Sequence, residues 1–70
     1  MSVITKFKVE DLERDVIVMV ANYQHPFIIQ QLFPGPRFRV AMLGRRRHVI
    51  FVPLQDIKGI VKQDQDGTEI

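Results

Sequence analysis

Apolar residues in this chain recur in short runs with a period near two, and turn-forming residues cut the runs apart. The clearest runs cover residues 37–43 and 48–54. In the first, Phe38, Val40 and Met42 fall on one face, with Arg37, Arg39 and Ala41 on the other. In the second, Val49, Phe51 and Pro53 alternate with His48, Ile50, Val52 and Leu54, so both faces are apolar. A Gly-led polar break, Gly44-Arg45-Arg46-Arg47, joins them, which predicts a β-hairpin with its turn at 44–47. A strand apolar on both faces belongs in the middle of a barrel or sandwich, or lends one face to an interface. Pro53 cannot donate to a ladder, so it should end the pairing or sit at an edge.

The remaining runs are shorter. Residues 3–9 read as a half-buried strand. Residues 10–15 place four acids around Leu12 and cannot be a buried strand; they form a turn or one short helix near residues 9–15. Leu12, Val16, Met19, Val20 and Tyr23 have helical spacing, but the β-branched run across 16–22 packs better on a pleat, and a strand is preferred there. Residues 22–26 are a polar break ahead of Pro26. Residues 27–33 suit either a strand or a helix of two turns, since periodicity does not decide over so few positions. Phe33-Pro34-Gly35-Pro36 stops either element. Residues 57–62 form a closing strand, where Gly59 suggests a bulge or sharp bend. Residues 64–70 form a polar tail, in which Asp66-Gly67 would be able to turn the last residues back into a short strand.

These elements amount to one domain over residues 1–63, and 70 residues leave no room for a second. A domain this small buries only about 60% of its unfolded surface. With no Cys there is no disulfide or thiolate metal site to add stability, while 46% of residues are hydrophobic. That combination favours self-association into a homo-oligomer or docking on a partner. The N-terminal residues break into charges before any signal-like apolar core, and the longest apolar run, 16–21, is far short of the ~20 residues of a membrane helix. A cytoplasmic domain is the expectation.

The segment HVIFVPLQDIKGIVK resembles a pattern of the SH3-like and Sm-like small barrels. There a strand runs into a short Pro-containing turn, often 3-10, and then into a closing strand that begins with an aliphatic residue. The resemblance covers about residues 15–63 and assigns 49–52 to the penultimate strand, 53–56 to the turn and 57–62 to the closing strand. It implies a mainly β fold: a small antiparallel barrel or strongly bent sheet of five to six strands. The Asp-Gly motif of Sm-type RNA sites is absent between the early strands, so no Sm-type binding residue carries over.

Charge then changes the picture. The net charge is only +2, but residues 36–47 hold five arginines and no acid, between two mildly acidic flanks. Arginine binds phosphate bidentately and stacks on bases, so Arg37, Arg39, Arg45, Arg46 and Arg47 are the candidate binding residues, for nucleic-acid phosphates or an acidic protein surface. Such binding would be salt-sensitive and largely sequence-independent. The aromatic candidates Phe38 and Phe51 are assigned to the core. The alternative function is a small regulatory or inhibitory protein that docks through an apolar strand edge, with Val16, Val18, Val20, Ile50 and Val52 as its interface; solvation of a hairpin tip is the third reading. No enzyme is expected, because the hydroxyl residues besides Tyr23 (Ser2, Thr5 and Thr68) lie near the termini and the acids flank no apolar pocket. Neither a metal nor a cofactor is expected: His25 and His48 lack ligand-spaced neighbours, and the glycines stand singly.

Overall fold

The computed structural model describes residues 2–62. It is mainly β, with a single antiparallel sheet of β1 (Ser2–Ile4), β2 (Ile17–Val20), β3 (Pro26–Phe33), β4 (Arg37–Met42), β5 (Arg45–Pro53) and β6 (Ile57–Lys62). The strand order is β1-β6-β2-β3-β4-β5, so β1 and β5 are its two edges and the sheet is not closed. The first and last strands in sequence, β1 and β6, pair with one another, and β6 then lies beside β2. The expected short helix near residues 9–15 is one 3-10 turn, Val9–Asp11, in which Lys8 N–H donates to Asp11 Oδ2 at 3.0 Å. Residues 5–8, expected to extend the first strand, are outside the sheet. Strand won over helix in both undecided segments, residues 16–22 and 27–33. Among the described residues no helix is long and apolar enough to cross a membrane. The expected tail, 64–70, lies outside the described residues.

One face of the sheet supplies the core. Val18 and Val20, Phe27 and Ile29, and Phe38 and Val40 alternate inward along their strands, Val52, Ile57 and Ile60 join them, and Leu12 seals the cluster from the segment before β2. Phe27, Phe38, Leu12, Ile29, Val18 and Val40 are its largest fully buried side chains. Each such side chain contributes about 1.5–3 kcal/mol by leaving water.

Two turns place non-glycine residues in the left-handed region. Val16 N–H donates to the Glu13 carbonyl, closing a turn in which Asp15 takes φ +73°; Tyr23 N–H and Val20 close a second around Asn22 at φ +71°. Asp and Asn tolerate this conformation better than other non-glycine residues. The β4–β5 hairpin turns at Leu43-Gly44, with Gly44 at φ +89°, not at the expected residues 44–47. Arg45 pairs with Met42, yet the next pair is Val49 with Ala41, so Arg46, Arg47 and His48 bulge out of the ladder.

Candidate nucleic-acid interface

The hairpin register decides which side chains meet the arginines. A turn at 44–47 would pair Leu43 with His48 and so set Phe51 against Val40, inside. The bulge shifts the arm by one residue, and such a slip sends every side chain to the opposite face. Phe51 instead pairs with Arg39, Pro53 with Arg37 and Val52 with Phe38. Phe51 is therefore not a core residue: it is 66% exposed on the face away from the core, whereas Phe38 is fully buried as expected. On β3, Gln31 pairs with Arg39 and Phe33 with Arg37, which extends this outer surface across three strands. The rings of Phe33 and Phe51 approach to 6.0 Å between centroids, tilted by 43°, from the strands on either side of β4. Arg37, Phe51, Val52 and Pro53 line one shallow depression there.

A second irregularity aims the neighbouring polar groups. The register between β3 and β4 slips at Gln30, leaving Gln30 as an extra residue between Ile29 and Gln31. Bulges of this kind re-aim side chains. Arg39 Nε donates to Gln30 Oε1 at 3.2 Å, which orients the guanidinium along the surface while leaving its charge opposite a neutral acceptor. Beside it lies a polar groove of about 280 Å³ lined by Arg14, Asp15, Gln30, Gln31, Arg39 and Arg46, together with Ile28 and Ile29. The groove wall is pinned by backbone: Asp15 N–H donates to the Ile29 carbonyl and Ile29 N–H to the Val16 carbonyl.

The five arginines named from the sequence are all exposed, but they do not act from a single tip. Arg37 stands with Phe51, Arg39 reaches the groove, and Arg45, Arg46 and Arg47 line a cup with His48 at the bulge. Arg46 also lines the groove, so it joins the two basic regions. All ten Lys and Arg residues fall within 2–62 against five acids there, Glu10, Asp11, Glu13, Asp15 and Asp56, for a local excess of +5.

The expected apolar docking edge is only partly open: Ile50 and Val52 lie on the edge strand β5, whereas β2 is interior to the sheet. Val18, Val20 and Val52 are buried in the core, Val16 and Ile50 pack against it, and β2 lies between β6 and β3. Two residues of the outer surface are not apparent from the sequence. The bulge hides Phe51, and the acids of residues 10–15 hide Arg14. Among the described residues no group of three or more His, Asp or Glu is arranged to hold a metal ion. Compared with known proteins, the chain matches no family model, no curated protein and no solved structure.

Proposed function

We propose that this protein is a non-catalytic binding module for single-stranded nucleic acid, acting in the cytoplasm through the outer surface of β3, β4 and β5. The observation that carries the reading is the exposed ring of Phe51 paired across the ladder with Arg39, with Phe33 and Arg37 beside them. A base has a π-face that stacks on an aromatic ring whatever its sequence, and arginines alongside hold the backbone. With 66% of Phe51 exposed, about 1–2 kcal/mol of the stabilisation of full burial is forgone, and a binding surface gives that exposure a use. Duplex DNA, whose bases are stacked away, gains nothing from the ring. Of the residues of the apolar-edge alternative, Val18, Val20 and Val52 are buried, and only Ile50 and Val52 lie on an open edge, that of β5. A one-turn 3-10 segment, Leu54–Asp56, between β5 and β6, with β6 returning beside β2, supports an SH3-like or Sm-like architecture for the module.

The test is a fluorescence-anisotropy titration with a labelled oligothymidylate and with duplex DNA at 50 and 200 mM salt. Single-strand binding that falls steeply with salt, and is lost in an Arg37→Glu/Arg39→Glu variant with an unchanged circular dichroism spectrum, is the expected result. Absence of binding at 50 mM salt, or equal binding by the charge-reversed variant, overturns the proposal.

A further inference from the structure

The groove beside Arg39 adds a residue that the hairpin alone does not provide. Arg14 comes from the turn before β2, Arg39 from β4 and Arg46 from the bulge of β5, three separate elements that together line one polar depression. Bringing three like charges together is unfavourable for the free protein, and an anion relieves it. The volume, about 280 Å³, lies just below the ~300–1,000 Å³ of small-molecule pockets, while the lining offers donors and amides and no aromatic ring. It suits a phosphate with its waters better than a nucleobase. Gln30 and Gln31 add neutral donors. Asp15, the one acid in the lining, takes a left-handed φ in its turn, and its N–H donates to the Ile29 carbonyl.

We infer that this groove is the seat of the strand's backbone phosphate, with Arg14, Arg39 and Arg46 as its ligands, while the neighbouring base stacks on Phe51. The inference rests on the single-strand proposal and gives the strand a path: from the ring on β5, across Arg39, to the turn before β2. Arg39 is the hinge of that path, because it pairs with Phe51 on one side and lines the groove on the other.

The experiment compares the full chain with Arg14→Gln and Arg39→Gln by anisotropy, using oligothymidylate over 50 to 400 mM salt. Removing one phosphate contact lowers the slope of log K against log salt by about 0.7 for a single strand, which corresponds to about eightfold weaker binding at 50 mM and about fourfold at 150 mM. Arg14→Gln is expected to show that smaller slope and those losses. Should Arg14→Gln match the wild type in slope and affinity while Arg39→Gln loses both, the groove assignment is overturned and the single-strand reading stands. If the wild type fails to bind oligothymidylate at 50 mM, both fall. A circular dichroism spectrum of each variant establishes that the fold is intact; Arg14 is exposed, so its replacement leaves the core untouched.

Discussion

Phe51→Ala separates recognition from folding, and both costs follow from the geometry. With 66% of the residue exposed, about a third of its burial is lost on truncation. Full burial of a phenylalanine is worth about 1.5–3 kcal/mol, so the loss from area is about 0.5–1 kcal/mol. The tilted contact with Phe33, at 6.0 Å, adds up to about 1 kcal/mol more. The sum, about 0.5–2 kcal/mol, is well below the 3–5 kcal/mol expected for a core residue such as Phe38. A 70-residue domain has roughly 3.5–10 kcal/mol of stability, so the variant stays folded. Stacking of one base is worth about 1–3 kcal/mol, which converts to a loss of roughly 5- to 150-fold in affinity for oligothymidylate. No charge is removed, so the salt slope stays as in the wild type. Urea denaturation measures the first quantity and anisotropy at several salt concentrations the second. Affinity within twofold of wild type on a folded variant would refute the stacking role. A destabilisation of 3 kcal/mol or more would refute the register that exposes the ring.

Two further outcomes test the fold beneath the site. A Cβ on Gly59 would lie 2.6 Å from Val3 Cγ1 and 2.9 Å from the Ile4 carbonyl oxygen. Gly59→Ala should therefore lift β1 from β6 and cost about 1–3 kcal/mol in urea melts, with amide exchange accelerated in β1 and β6, because the backbone oxygen has no rotamer by which to retreat. Oligonucleotide affinity should hold, since β1 is at the far edge of the sheet. Val18 is fully buried, so Val18→Lys places an unpaired ammonium in the core and should abolish the cooperative transition in denaturant; retention of a folded domain would place Val18 at a surface instead.

How much of the fold and the site is legible in the sequence can be seen at particular residues. The alternation of Phe38, Val40 and Met42 against Arg37 and Arg39 survives in the fold because pleating leaves no other arrangement: two faces, one of them dry. The stop at Pro34-Gly35-Pro36 and the Pro53-led turn survive for equally local reasons. The position of Phe51 depends on something not local. Both arms of a hairpin can be drawn correctly while their relative register stays free by one residue; here the pairs from Ala41–Val49 to Arg37–Pro53 hold it, and Arg46–His48 take up the difference outside the ladder. A run of three arginines reads as a turn by composition, yet Gly44 takes the left-handed φ and the turn closes before them. Arg14 is illegible for another reason. Along the chain four acids surround its charge, whereas the fold carries it to the edge of β3, next to Gln30.

The bulge in β5 also makes the domain modular. Pairing on its two sides is anchored separately, at Met42–Arg45 near the turn and from Ala41–Val49 onward in the arm. Residues between those anchors answer to no ladder, so one or two added or removed there would leave Phe51 facing Arg39. Loop length can vary at modest entropic cost, on the order of 0.6 kcal/mol per doubling. The basic segment is thus a part of the sheet that can be lengthened, recharged or made to carry a spectroscopic label without resetting the faces of the strands. An engineer would insert a reporter between Arg46 and Arg47.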